Sequence, residues 1–363
     1  MGDIMSDPEV SAPPLWGSTD DAGATHADVW FDDYRFRNGQ RIARLRMHYA
    51  TLGEAHRDAA GRIDNAILVL HWTRADARAL LTANYVDALF APGKPLDARR
   101  FFLIFPDNVG HGRSSKPSDR MKTAFPNYRY GDMVDLQHRL VTDVLGIERL
   151  RAVVGMSMGG MHAWQWAQAF PDAMDGIMPI VSLPMKISGR NLLWRRMIIN
   201  AIRSDPAWND GRYEEPPKGW LRAYEIHRMM TDSVPHLQSI IPDIDAAEQF
   251  LKAARAHGES ADANDVLYAL EASADYDPEP RLASIKAKVY ALNFSDDELN
   301  PPCLNAFDRL MPLVPHGRFV TQEASGETTG HSTTAHPRLW SAHVADFMRA
   351  LEDLKSTIDV GEN

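Results

Sequence analysis

The chain has 363 residues, 44% of them hydrophobic and 24% charged, and a formal net charge of −10 at pH 7. This balance is typical of a globular protein with a full core and excludes disorder as the main state. The acidic excess argues against a nucleic-acid partner, and no apolar run reaches the roughly 18 residues of a membrane span, so no membrane partner is expected.

Residues 1–28 are rich in Asp, Pro, Gly, Ser and Ala without a hydrophobic period, which indicates a flexible N-terminal arm. Six strand-like runs follow, at residues 44–52, 65–73, 101–106, 150–155, 288–294 and 317–322. Several are short and almost wholly apolar, as in parallel strands that are buried on both faces. Helical patterns alternate with them, so we predict an α/β fold with a mostly parallel central sheet and helices on both faces.

Three helical patterns are distinct. Residues 131–145 carry apolar side chains on one face, and Gly146 lies where a helix-terminating glycine belongs. Residues 158–170 form a second pattern that Pro171 stops. The third, over residues 340–351, is an apolar stripe near the end of the chain.

Between Pro184 and Pro280 the strand pattern is replaced by helical segments rich in Arg, Met, Trp and Pro. Because strand-like runs resume afterwards, we predict a helical cap over residues 184–280, inserted into a core of residues 29–183 and 281–363. The tryptophans and methionines of this cap either pack it against the sheet or line a pocket. In the second case a hydrophobic acyl or aromatic substrate is expected.

The sharpest motif is GMSMG at residues 155–159, which matches G-x-S-x-G between an apolar strand and a helical pattern. This motif places a serine on a strained strand-to-helix turn, where glycines on either side relieve crowding. Ser157 is therefore the predicted nucleophile. The N–H of Met158, at the start of the helix, is predicted to bind the oxyanion.

A serine nucleophile needs a base and an orienting acid, which follow it in the order Ser, acid, His in this kind of fold. His331 is the predicted base, because it lies in a Gly- and Thr-rich loop just before the last helix. Asp296 and Asp297 follow the strand of residues 288–294 at its carboxyl end, where the sites of such sheets lie. We favour Asp297 as the acid and keep Asp296 in reserve.

Two further loops border the predicted site. Residues 71–73 (HWT) end one strand, and the N–H of Thr73 is a predicted second oxyanion donor. Residues 107–112 (DNVGHG) end another strand. This second loop is either a tight glycine turn or part of the pocket lining, and the sequence leaves the two open.

Residues 31–351 resemble the homoserine O-acetyltransferase-like group of the α/β-hydrolase superfamily. The most specific segments are DMVDLQHRLVTDVLGI, VVGMSMGGMHAWQWAQAFPD, IRSDPAWNDGRY, SDDELNPP and TGHSTTAHPRLW. The resemblance implies an α/β-hydrolase fold in which Ser157 is the nucleophile, Asp297 the acid and His331 the base, with oxyanion amides at Thr73 and Met158. It also implies that a helical cap covers the site and helps to form a homodimer.

The sequence departs from that group at the substrate side. Residues 107–119 read DNVGHGRSSKPSD where the group has a Gly-rich loop, and the bulky Trp72 replaces a small residue. Ile199 stands where the group presents a substrate-facing arginine, although Arg195 and Arg196 lie one turn earlier. A guanidinium binds a carboxylate through two hydrogen bonds and isoleucine cannot. We therefore expect these four residues to bear on substrate binding and to weaken the expectation of homoserine.

The predicted function is a serine-dependent carboxylic ester hydrolase that acts through an acyl-enzyme on a small-molecule ester. The alternative is an O-acyltransferase of the homoserine O-acetyltransferase type, with acetyl-CoA or another acyl-CoA as co-substrate. No bound cofactor is expected in either case. A non-catalytic binding protein on the same fold is a remote alternative, because no member of the predicted triad is missing.

The single cysteine, Cys303, excludes an internal disulfide and a multi-cysteine metal site, and we expect it to be a small buried residue. No H-E-x-x-H or clustered His/Asp spacing occurs, so no metal is expected. Lys and Arg are absent before Arg35, which leaves the start without the positive region of a secretory signal. Together these features predict a cytoplasmic protein.

Overall fold

The computed structural model describes residues 23–361. Its centre is one eight-stranded sheet whose strands are β1 (Thr25–Arg35), β2 (Arg41–Leu52), β3 (Ala66–Leu70), β4 (Phe102–Pro106), β5 (Leu150–Met156), β6 (Met174–Ile180), β7 (Lys288–Phe294) and β8 (Gly317–Gln322). The spatial order is β1-β2-β4-β3-β5-β6-β7-β8. The β1–β2 and β2–β4 pairs are antiparallel and all the others are parallel. The predicted α/β class with a mostly parallel sheet is therefore confirmed.

All six predicted strands are present, but β1 and β6 were not predicted. The N-terminal arm predicted to reach residue 28 is too long, because β1 starts at Thr25 and pairs in register with β2, Thr25 opposite Thr51. Hydrogen bonds to a neighbouring strand override the polar composition of this segment. The rest of the predicted arm, residues 1–22, lies outside the described residues.

Eleven α-helices lie within the described residues. They are α1 (Ala77–Leu80), α2 (Ala83–Tyr85), α3 (Tyr130–Arg139), α4 (Met158–Ala169), α5 (Gly189–Ser204), α6 (Leu221–Thr231), α7 (Val234–Ile240), α8 (Ile244–Glu259), α9 (Ala263–Glu271), α10 (Ala306–Leu310) and α11 (Ser341–Gly361). A π-helical turn extends α3 to Val144, and Gly146 follows with a φ of 66°. The predicted terminating role of this glycine is confirmed.

Helices cover both faces of the sheet. Successive side chains of a strand point to opposite faces, so Leu68 joins the core under α3 and α4, while Ile67 joins the core under α1, α2 and α11. The predicted apolar stripe of α11 is buried, with Val344 and Leu351 fully covered. The sheet is thus a rigid platform, and its carboxyl edge carries the loops described below.

Helices α5–α9 lie between β6 and β7, in the part of the chain predicted to form the cap. The first turn of α9 is tied to the core, because Asp265 accepts hydrogen bonds from the backbone N and the Oγ of Ser118, at 2.9 and 2.6 Å. Tyr268 on the same helix donates to Phe125 O at 2.9 Å. Helix α9 is therefore an anchor between the cap and the loop that follows β4.

Two smaller expectations have different outcomes. Cys303 is exposed rather than buried, because it lies on a short turn after Pro301 and Pro302 at the surface of the core. Of the helices in residues 23–361, none combines the length and the apolar composition that crossing a membrane requires.

Candidate active site

The turn between β5 and α4 presents Ser157 at the carboxyl edge of the sheet. Ser157 has φ 53° and ψ −112°, a strained conformation for a residue other than glycine. A Cβ at Gly155 would collide with Gly159 O, and a Cβ at Gly159 would collide with Leu70 O. The two glycines therefore let β3, β5 and α4 approach closely enough to hold the serine in this position.

Three predicted side chains come together at that edge. Ser157 Oγ lies 2.9 Å from His331 Nε2, and His331 Nδ1 lies 2.9 Å from Asp297 Oδ2. Ser157 follows β5, Asp297 follows β7, and His331 lies on a turn after β8. Residues 174 positions apart in the sequence thus form one hydrogen-bonded chain.

The structure distinguishes the two adjacent aspartates. Asp297 is 1% exposed, and its carboxylate accepts hydrogen bonds from the backbone N of Leu299 at 2.8 Å and from the backbone N of Asn300 at 3.0 Å. Asp296 Oδ2 instead accepts from Thr328 Oγ1 at 2.8 Å and from Gly330 N at 3.1 Å. Asp297 contacts the His331 ring, whereas Asp296 shapes the loop that carries it.

The two predicted oxyanion donors, Met158 and Thr73, lie on different elements near Ser157. Met158 is the first residue of α4, and N–H groups in the first turn of a helix have no acceptor within that helix. Thr73 lines the same cavity as Ser157 and His331. Both positions are compatible with binding a negatively charged oxygen above the serine.

The cavity above Ser157 measures about 630 Å³ and lies between the sheet edge and the cap. Its cap side is formed by α5, α6, α8 and α9, and its core side includes Trp72 and Leu299. Arg74, Arg195 and Arg228 line it, and none of its described lining residues is an aspartate or a glutamate. Arg228 is paired with Asp232 at 3.1 Å, so the cavity is largely apolar and takes its positive character from Arg74 and Arg195.

Arg195 is the most buried of these three arginines, at 4% exposure. Its guanidinium donates to Asn191 Oδ1 at 3.0 Å and to Ser273 Oγ at 3.3 Å, and it lies 4.6 Å from the centre of the Trp194 ring. Within the described part of the chain, no carboxylate pairs with it. A buried cation held only by neutral partners is a favourable place for an anionic group.

The positive character also acts on a histidine of the cavity wall. Burial and the nearby charges of Arg195, Arg74 and Arg228 hold the pKa of His227 well below its usual range. His227 is therefore neutral near pH 7 and adds no charge to the cavity.

The other predicted substrate-binding residues are placed differently. Trp72 lines the cavity and stacks on Tyr85, with 6.1 Å between ring centres. Arg196 and Ile199 are not among the described cavity lining and border a separate hollow of about 270 Å³. The helical period turns these two residues about 100° away from Arg195 and Ile198, which line the cavity; Arg195 borders the second hollow as well.

Several contributors were not predicted from the sequence. Arg74 and Arg228 line the cavity, and Asn300 Nδ2 donates to Asp297 Oδ2 at 3.2 Å. Asn300 lies in the SDDELNPP segment, but nothing in that sequence indicates that its side chain contacts the predicted acid.

Residues 107–112 are predicted either to form a tight glycine turn or to line the pocket. They do not line the cavity and instead form a tight turn with Gly110 at φ 83°. Among residues 23–361, no three His, Cys, Asp or Glu side chains are grouped to bind a metal ion.

Comparison with known proteins decides the family. A family model described as the alpha/beta hydrolase fold matches residues 85–322. The homoserine O-succinyltransferase of Burkholderia vietnamiensis is 30% identical over 348 residues, which cover 90% of this chain and 86% of that protein. The chain belongs to the homoserine O-acetyltransferase-like group of the α/β-hydrolase superfamily.

Solved structures of this superfamily have the same fold. The homoserine O-acetyltransferase of Bacillus anthracis superposes with a TM-score of 0.79 at 25% identity, over 90% of this chain and 97% of that one. Esterase E22 superposes with a TM-score of 0.77 at 20% identity, over 90% of this chain and 100% of that one. Both structures share the fold of this chain, which as a member of the homoserine O-acetyltransferase-like group is an α/β-hydrolase-fold enzyme.

Proposed function

We propose that the protein is a serine-dependent carboxylic ester hydrolase that forms an acyl-enzyme on Ser157. The observation that carries the proposal is the pair of 2.9 Å hydrogen bonds that joins Ser157 to His331 and His331 to Asp297 beneath the cavity. A serine hydroxyl is activated when it is hydrogen-bonded to a base and that base is hydrogen-bonded to a buried acid.

The proposed reaction has two halves. His331 Nε2 takes the proton of Ser157 as Oγ attacks the ester carbonyl, and the N–H groups of Thr73 and Met158 stabilise the oxyanion. Collapse of this intermediate transfers the proton from His331 to the leaving alcohol, and the acyl group stays on Oγ. Water, activated by His331, then attacks the acyl-enzyme and releases the acid. His331 Nδ1 keeps its own proton throughout and donates it in a hydrogen bond to the Asp297 carboxylate.

We favour hydrolysis over acyl transfer because of the residues that would bind an alcohol acceptor. Ile199, at the position of the family's arginine, borders a different hollow, and Trp72 fills space that a small residue would leave open. A second candidate, transfer of an acyl group from an acyl-CoA to an alcohol, is favoured by Arg195. Its buried guanidinium has no carboxylate partner among the described residues and could bind the carboxylate of an amino-acid alcohol such as homoserine.

The proposed reaction needs no bound cofactor and takes a small-molecule ester or acyl donor as its partner. We propose the cytoplasm as its compartment, since the single, exposed thiol of Cys303 fits a reducing environment.

The test compares the wild-type protein with Ser157→Ala, Arg195→Met and Arg196→Met. One assay follows hydrolysis of short aryl esters, and the other follows release of CoA from acetyl-CoA and succinyl-CoA with and without homoserine. Ser157→Ala should lower turnover by about 10⁴-fold or more while the protein stays folded. Retained turnover in that variant would refute the proposed mechanism.

The assays also separate the two candidates. Ester cleavage that depends on Ser157, without CoA release stimulated by homoserine, supports the hydrolase. Stimulated CoA release would replace it by the acyltransferase, and in that case Arg195→Met should raise KM for homoserine at least tenfold. Arg196→Met is the matched control, because Arg196 is exposed and lies outside the cavity lining.

A further inference from the structure

A fully buried histidine lies directly behind the proposed oxyanion loop. His71 follows the last residue of β3, and its ring does not line the cavity. His71 Nδ1 lies 2.8 Å from Trp72 O, and His71 Nε2 lies 3.0 Å from Asn108 Nδ2. The proposed mechanism gives this side chain no role.

The partners of His71 assign its ring protons. Trp72 O can only accept a hydrogen bond, so Nδ1 carries a proton. Asn108 offers donors to Nε2 from its side chain and, at 3.3 Å, from its backbone N–H, so Nε2 is the acceptor. Burial lowers the pKa of His71, which favours the neutral ring that this assignment requires.

A buried polar network holds Asn108 in that orientation. Gln137 Nε2 donates to Asn108 Oδ1 at 2.5 Å and faces His162 Nδ1 at 3.1 Å, while Gln137 Oε1 accepts from Trp166 Nε1 at 2.7 Å. Each amide thus has one orientation that satisfies all its partners. Because Gln137 lies on α3 and His162 and Trp166 lie on α4, the network connects His71 to the helix that begins beside Ser157.

The hydrogen bond from His71 acts on the peptide unit that contains the proposed oxyanion donor. Trp72 C=O and Thr73 N–H belong to the same planar trans peptide, so they point in opposite directions. Trp72 O accepts from His71 Nδ1 and also from Ala75 N, at 3.1 Å. With its carbonyl held on the core side, this peptide directs the Thr73 N–H away from the His71 ring.

We propose that His71 is a positioning residue that directs the Thr73 N–H towards the oxyanion. The inference rests on the proposed function, because it assumes that Thr73 is an oxyanion donor. It also assigns a purpose to the turn of residues 107–112, which presents Asn108 to His71 rather than a side chain to the substrate.

Two substitutions separate the two ring nitrogens. In His71→Asn the side-chain Nδ2 occupies the place of Nδ1 and can still donate to Trp72 O. In His71→Gln the amide reaches only the place of Nε2, so it can contact Asn108 but cannot donate to Trp72 O. Both replace the ring by a neutral amide, and so each is the control for the other.

Removing one oxyanion donor costs about 10²–10³-fold in kcat, and a misdirected donor should cost part of that. We expect His71→Gln to lower kcat for an aryl ester by about 10- to 100-fold with KM changed less than about threefold, and His71→Asn to lose no more than about threefold. A trifluoromethyl ketone, whose adduct with Ser157 carries an oxyanion, should bind more weakly to the Gln variant by the same factor as kcat/KM.

Active sites are counted by the final amount of a fluorophosphonate label that reacts with Ser157. The kcat values then refer to folded enzyme. Equal kcat in the two variants, or a KM effect without a kcat effect, would overturn the role of His71. Ser157→Ala is measured in parallel. If it keeps its turnover, the proposed function fails; if it is inactive while the two His71 variants are equal, only the His71 inference fails.

One measurement on the wild-type protein covers the case in which neither variant folds. In ¹⁵N spectra of histidine-labelled protein near pH 7, the ring signals assigned to His71 through its backbone should be those of a neutral ring protonated at Nδ1. A His71 ring that carries its proton on Nε2 would overturn the inference, whatever the state of the His331 ring.

Discussion

Asp296 and Asp297 are neighbours in sequence with different hydrogen-bond partners, and this difference predicts different kinetics. Asp297→Asn keeps the shape but presents an amide to His331 Nδ1, so we expect kcat for ester hydrolysis to fall about 10⁴-fold. Asp296→Asn leaves the His331 ring hydrogen-bonded to Asp297 and weakens only the hydrogen bonds from Thr328 and Gly330 to residue 296. We expect it to lose no more than about tenfold.

Steady-state kinetics of both variants with one aryl ester test this prediction, with thermal unfolding as a check that both are folded. Comparable losses in the two variants would contradict the assignment of Asp297 as the orienting acid.

At the level of single residues, the sequence predicts which side chains carry out the chemistry better than it predicts where a side chain points. Ser157 and His331 were predictable because their motif and chain order are specific. Arg195 and Arg196 were equivalent in the sequence, since nothing in the α5 segment shows which side of the helix faces the cavity. The orientation of His71 was not predictable either, because Asn108 and Gln137 reach it from distant parts of the chain.

Among the elements, α9 predicts a pH dependence of stability. Burial raises the pKa of Asp265 to about 6, although two hydrogen bonds from Ser118 lower it. An unfolded aspartate titrates near pH 3.9, so between about pH 4 and 6 the folded state binds more protons than the unfolded state. The contribution of Asp265 to the free energy of unfolding therefore falls as the pH rises through this window and is constant above it.

Asp265→Asn removes this titration. The free energy of unfolding of the wild-type protein should decrease relative to that of the variant between pH 4 and 6.5, as measured by urea denaturation at several pH values. Parallel pH profiles for the two proteins would contradict the prediction.

The two strands that were not predicted, β1 and β6, show that sequence patterns contain no information about pairing with neighbouring strands. The β6 segment MDGIMPI contains Asp, Gly and Pro, which are depleted in strands. It is a strand because β5 and β7 pair with it on either side, and because Gly176 leaves room for Phe347 and Leu351 of α11. Strand β1 is an edge strand with many polar residues, and only its pairing with β2 defines it.

For the whole molecule, the cap carries exposed apolar side chains that support the expectation of a homodimer. On α5, Leu193 is 61% exposed and Met197 is 42% exposed; on the adjacent α6, Ile226 and Met229 are also exposed. We propose that these side chains take part in the association of two copies, since exposed apolar side chains are a common feature of interfaces.

Leu193→Asp would bury a charge in such an interface. We expect the wild-type protein to elute as a dimer in size-exclusion chromatography with light scattering, and Leu193→Asp to shift towards monomer. The matched control, Leu313→Asp, changes an exposed leucine of the core far along the chain from the cap and should not alter the mass. A wild-type monomer would refute the proposal.

The position of the cap in the chain has a consequence for how such an enzyme can diversify. The proposed nucleophile, acid, base and oxyanion amides all follow strands of one sheet, whereas Trp194, Arg195 and Arg228 belong to helices inserted between β6 and β7. The groups proposed for bond making and the cap side of the cavity therefore belong to separate stretches of polypeptide. We expect that a substitution at a cap residue of the cavity can change which molecule is bound without disturbing the hydrogen bonds that join Ser157, His331 and Asp297.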